Sequence, residues 1–208
     1  MLFALLLSAA GVEAHRLDEY VEQTLVEIEP ARVVLHLDLT PGVAVAPRVI
    51  AAIDTDGDGV ISAAEEAAYA EAVRRDLSLS MNGEPLGLRV ASAKYSPVEA
   101  MKAGTGVMAL ALEAQLPAGV TAGTLVLANH HEAAIGRWLM NCLMPRAPVQ
   151  VLGQSRSRDQ STYEVEVRLG PTVAAPPARG WIPAAAGAVV LAGVLGFTAL
   201  RRRSLAPR

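Results

Sequence analysis

Between residues 19 and 40 apolar and polar positions alternate with a period of two. Val33, Leu35, Leu37 and Leu39 are interleaved with Val34, His36 and Asp38, the pattern of a strand with one buried face. It predicts strands over 19–28 and 32–40 around a Glu29-Pro30-Ala31 turn. The period then changes. Pro47 suits the first position of a short helix over 47–53. Ser62 followed by Glu65 forms a capping box for a second helix reaching Asp76. Ile61, Ala64, Ala68, Tyr69, Ala72 and Val73 recur at helical spacing and predict its core-facing stripe.

Strand patterns resume after Asp76. A hairpin is expected over 77–81 and 85–92, about Asn82-Gly83, a strong turn pair. Strands follow over 105–116 and 121–129, parted by Pro117-Ala118-Gly119. Residues 136–144 read equally as strand or helix. A last hairpin spans 148–154 and 161–169 around the polar stretch 155–160. So many short strands at this spacing predict a mainly β fold, an antiparallel, Ig-like sandwich. The helix–loop–helix of 47–76 is then an insertion between the second and third strands, and no internal repeat supplies a second copy of it.

Both ends depart from this pattern. Residues 1–14 resemble a secretory leader, with an apolar run over 2–10 and Val12-Glu13-Ala14 as a small-x-small cleavage site. Residues 171–180, with Pro176-Pro177, read as a linker. Residues 181–200 carry no charge and are long enough to cross an apolar bilayer core of about 30 Å. Trp181 sits where an interfacial aromatic would. Arg201, Arg202 and Arg203 open a basic tail over 201–208, which the positive-inside rule keeps in the cytoplasm. The expected protein is therefore a single-pass cell-membrane protein whose domain, 15–170, is exported to the periplasm or outside the cell. The net charge of −3 conceals an acidic domain and a basic tail. An acidic domain excludes a nucleic-acid partner, which needs a basic face. The single cysteine, Cys142, excludes an intrachain disulfide.

The chemistry concentrates in Asp54-Thr55-Asp56-Gly57-Asp58-Gly59-Val60-Ile61-Ser62-Ala63-Ala64-Glu65. Calcium is a hard cation that takes six to eight oxygens. Asp54, Asp56 and Asp58 each offer a carboxylate, Val60 a backbone carbonyl, Ser62 a direct or water-mediated contact, and Glu65 a bidentate carboxylate. Gly59 stands where the chain must turn sharply. The run satisfies D-x-[DN]-x-[DN]-G-x5-E at every fixed position and resembles the EF-hand family from about Pro47 to Asp76. The resemblance implies a Ca2+ site. Magnesium is the competing ion, but it prefers fewer protein ligands. An unpaired loop of this kind more often staples a fold than signals.

A second metal reading rests on His15. After cleavage at Ala14 it would be the mature N-terminus, where amine and imidazole together chelate copper or nickel. This resembles the histidine start of periplasmic copper carriers, themselves small β-sandwiches. Met140, Cys142 and Met144 would share a strand face and suit Cu(I); core packing is the plainer role for such residues. No G-x-S-x-G, P-loop, G-x-G-x-x-G or H-E-x-x-H run is present, so no enzyme is expected. The acidic residues outside the loop are expected at solvated surface positions. The expectation is a bacterial, membrane-anchored calcium-binding module with a protein partner.

Overall fold

The computed structural model of the chain describes residues 18–170. The leader at 1–14, His15, the linker at 171–180, the apolar span at 181–200 and the basic tail at 201–208 lie outside the described residues. Among the described residues no helix is long and apolar enough to cross a membrane.

The described residues form ten strands in two five-stranded sheets. The first sheet begins with β1 (Tyr20–Ile28) and β2 (Arg32–Pro41), antiparallel through the tight turn at Glu29. Two helices follow, α1 (Ala46–Ile53) and α2 (Ala63–Asp76). Then come β3 (Leu77–Met81), β4 (Glu84–Leu86), β5 (Arg89–Tyr95), the short α3 (Val98–Lys102), β6 (Met108–Gln115) and β7 (Ala122–Asn129). β8 (Gly136–Cys142), β9 (Gln150–Arg156) and β10 (Thr162–Arg168) complete the domain. The sheet orders are β5-β6-β2-β1-β8 and β4-β3-β7-β10-β9.

The two inward faces share one core. Val33, Leu35, Leu37 and Leu39 from β2 meet Leu125, Leu127, Tyr163, Val165 and Val167 from the opposite sheet in a single buried cluster. This is the alternation of a sandwich strand, in which every second side chain leaves water. α1 adds Val49, Ile50 and Ile53 to the same cluster, and α2 adds Tyr69, Ala70 and Val73. The helix–loop–helix is thus built into the core.

Four features differ from the sequence expectation. The hairpin at Asn82-Gly83 forms, with both residues at positive φ, but its second strand ends at Leu86. After Gly87 and Leu88 the chain crosses to the other sheet as β5. The ambiguous stretch at 136–144 resolves as strand β8 over Gly136–Cys142, which pairs in parallel with β1, a long-range pairing that local periodicity does not encode. α3 was not anticipated; at five residues it is too short for a helical repeat. The buried face of α2 is also rotated: Ala64 and Ala68 are exposed, whereas Glu65, Tyr69, Ala70 and Val73 are buried.

Candidate metal centre

The loop joining α1 to α2 is shaped by its own carboxylates. Asp54 closes α1, its N–H reaching the Ile50 carbonyl at 2.8 Å. Its Oδ2 then accepts from the Gly59 N–H at 3.0 Å, five residues on. Asp56 Oδ1 accepts from the Asp58 N–H at 3.2 Å, and Asp58 Oδ1 from the Val60 N–H at 2.7 Å. Gly57 and Gly59 take φ of +72° and +82°, a region that penalises any residue with a Cβ. These bonds curl the chain and turn the carboxylates to one side. One oxygen from each of Asp54, Asp56 and Asp58 lies within 4.8 Å of the others.

Glu65 stands outside that cluster and fixes the start of α2. Its Oε2 accepts from the Ser62 N–H and from the Ser62 hydroxyl, both at 2.9 Å. The Glu65 N–H in turn donates to Ser62 Oγ at 3.3 Å, completing the capping box. Its Oε1 accepts from the Thr55 N–H at 2.7 Å and the Thr55 hydroxyl at 3.1 Å. The Ser62 donors, reinforced by Thr55, hold its carboxyl at about 2, so Glu65 is an anion throughout the neutral range. One carboxylate thereby ties the first turn of the loop to its last. Val60 is 65% exposed. Thr55 was not singled out in the sequence, since the calcium pattern leaves that position free.

One atom of this arrangement lacks a partner. Asp54 Oδ1 is buried and makes no hydrogen bond. A carboxylate oxygen removed from water without a donor is unfavourable unless a positive charge faces it.

The loop is joined to the sandwich through α2. Glu66 Oε1 accepts from the Tyr95 N–H at 3.0 Å, and the Tyr95 hydroxyl donates to the Glu66 carbonyl at 3.1 Å. On the buried side, the hydroxyls of Tyr69 and Tyr20 lie 3.1 Å apart, and Tyr69 reaches His131 Nε2 at 3.0 Å. His131 Nδ1 lies 2.7 Å from Asp76 Oδ2, at the end of α2. The His131 N–H donates to Asn129 Oδ1 at 2.8 Å, and Asn129 Nδ2 donates to Glu22 Oε2 at 2.8 Å. His131, in the turn between β7 and β8, is only 4% exposed. This chain corrects one sequence expectation. The acidic residues outside the loop are not all solvated, because Glu22 and Glu113 are buried. A signal existed for Glu22, which shares the inward register of β1 with Tyr20, Thr24, Val26 and Ile28.

The sulfur residues do not gather as expected. β8 ends at Cys142, Met140 is buried, and Met144 lies beyond the strand at 92% exposure. Burial raises the Cys142 thiol above its ordinary value, which suppresses the thiolate that soft metals bind. No family model, curated protein or solved structure matches the chain.

Proposed function

We propose that residues 54–65 form a single EF-hand-type calcium site that staples the sandwich of an exported, membrane-anchored interaction module. The observation that carries this reading is the division of labour among the carboxylates. Asp54, Asp56 and Asp58 each spend an oxygen on the loop backbone, and one oxygen from each converges within 4.8 Å. The buried, unpartnered Asp54 Oδ1 supplies a reason for a cation there. Calcium fits an all-oxygen set that is partly exposed and flexible. Val60 would add its carbonyl, Ser62 a direct or bridged contact, and Glu65 a carboxylate already held at the start of α2. Export and anchoring are supported by the apolar segments at 2–10 and 181–200 and by the arginines that follow the second.

A structural role is favoured over signalling because both helices already contribute to the common core, which leaves no separately packed pair to open. Extracellular sites of this class bind at about 10⁻⁴–10⁻³ M. At ten times the dissociation constant, linkage then contributes about 1.4 kcal/mol. The test is calcium calorimetry on the full chain with parallel melting curves. One-site binding with a raised melting temperature is expected. Asp54→Ala and Glu65→Ala should each abolish the calcium-dependent rise. Persistence of that rise in both variants, or no binding up to several millimolar, would sink the reading.

A further inference from the structure

Glu22 has no surface to reach and no cation beside it. Its side chain is wholly buried on the inward face of β1. From β7 it faces Asn129; from β8, Trp138, its register neighbour. The turn between those strands brings His131 and Glu132, α2 brings Tyr69 and Asp76, and Tyr20 lies on its own strand. The arginines beside its neighbours are otherwise engaged: Arg48 on α1 pairs with Glu132, and the exposed Arg137, which precedes Trp138, pairs with Glu19. Glu113 shows the contrast, since that buried carboxylate is met by both Arg32 and Arg89. Glu22 Oε1 makes no hydrogen bond of normal geometry among the described residues; the donor on its side is the Trp138 indole N–H, which is likewise buried without another partner. Glu22 Oε1 lies so close to Gly136 that a Cβ there would come within 3.1 Å of it.

A carboxyl in that setting is stable with its proton and unstable without it. Ionisation would place a charge where water cannot follow, beside the carboxylates of Glu132 and Asp76. Burial accordingly pushes Glu22 up to about 8, with the Asn129 amide and the Trp138 indole N–H opposing the rise and Glu132 and Asp76 adding to it.

The consequence reaches the calcium loop because Glu22 ends a continuous chain of bonds. The Asn129 amide holds Glu22 by its NH2 and the His131 backbone by its oxygen. The His131 ring bonds α2 through both nitrogens, at Asp76 and at Tyr69. Tyr69 sits one helical turn after Glu65. We propose that Glu22 is a proton-binding site coupled to the metal centre, in which its proton and the calcium ion favour the same seating of α2 and therefore bind cooperatively. This inference rests on the calcium reading of the loop. Ionised Glu22 draws in water, displaces the Asn129–His131 turn and releases the helix that carries Glu65. By reciprocity, calcium holding Glu65 resists that release and strengthens the proton's hold on Glu22. Glu65 is held at about 2, so it contributes no pH dependence of its own between pH 7 and 9.

The test is calcium calorimetry on the full chain at pH 7, 8 and 9, for the native protein, Glu22→Gln and Tyr69→Phe. Buffers of different ionisation enthalpy report proton exchange, and melting curves in chelator report Glu22 directly. The native protein is expected to bind calcium about fivefold more weakly at pH 9 than at pH 7, and to take up protons on binding at pH 8. Glu22→Gln should show neither effect. Tyr69→Phe should keep the alkaline loss of melting temperature in chelator while losing much of the pH dependence of calcium affinity. Equal pH dependence in the native and Glu22→Gln proteins, or no proton uptake at pH 8, overturns the coupling. Absence of calcium binding at every pH defeats the calcium reading and the coupling with it. The chelator melts would then still show separately whether Glu22 carries a buried proton.

Discussion

At the residue scale, Glu22 and Glu65 are two glutamates driven in opposite directions by their surroundings. Glu65 is surrounded by donors and pulled down to about 2, whereas Glu22 is surrounded by core and pushed up to about 8. The stability consequence has a definite sign. In the unfolded chain Glu22 ionises near the ordinary glutamate value, about 4.3. The folded state keeps a proton that the unfolded state has already released above that pH. Its stabilising effect is full below about pH 4 and is lost as pH rises toward 8. Over that window the loss amounts to something on the order of 4 kcal/mol. Glu22→Gln keeps the shape and removes the titration. Urea unfolding in chelator should therefore find the variant close to the native protein at pH 4, and more stable by several kcal/mol at pH 8. Parallel pH profiles for the two proteins would mean that Glu22 is already ionised in the fold.

At the scale of elements, the helix–loop–helix was the most legible part of the chain. Its signals are local: a proline at the start of α1, a capping pair at the start of α2, and glycines where φ turns positive. The cap has a measurable weight. Ser62→Ala removes the acceptor for the Glu65 N–H and one donor to Glu65 Oε2, and should cost about 1 kcal/mol in chelator-treated protein. A variant as stable as the native chain would show that the helix start is held by the Ser62 backbone N–H and Thr55 without the hydroxyl. What stayed hidden in the sequence was non-local. The parallel pairing of β8 with β1 joins strands more than a hundred residues apart, and no periodicity within either strand announces it. α3 is hidden for a related reason, because packing of Val98 and Met101 into the shared core places it. A Cβ at Gly106, just before β6, would lie 2.6 Å from the Met101 backbone nitrogen in that helix. Gly106→Ala should thus cost about 1–3 kcal/mol through overpacking, read as a lower urea midpoint. Gly87 meets nothing within 4 Å and lies outside the positive-φ region, so Gly87→Ala is the control and should change little.

For the whole molecule, the alternation in β1, β2 and β10 made the sandwich legible, since a half-buried strand must hide every second residue. The buried polar chain was not, because Glu22, Asn129 and His131 become neighbours only after two sheets and a helix have packed. That packing also decides how calcium should act. Val49, Ile50 and Ile53 of α1 and Tyr69 and Val73 of α2 belong to the same apolar cluster as the sheet interiors. The loop therefore has no independent hydrophobic support, and unfolding it alone would expose core that the sandwich needs covered. Calcium should accordingly shift one cooperative transition and add no second one. Urea unfolding would be followed by far-UV circular dichroism for the sheets and, in a Trp181→Phe background, by the fluorescence of Trp138, which is buried on β8. The two curves are expected to coincide with and without calcium. Calcium at ten times its dissociation constant should move both by about 1.4 kcal/mol. If calcium moved only one of two separate transitions, the helices would form a unit apart from the sandwich, and the chain of bonds from Glu22 to α2 could not carry coupling between them.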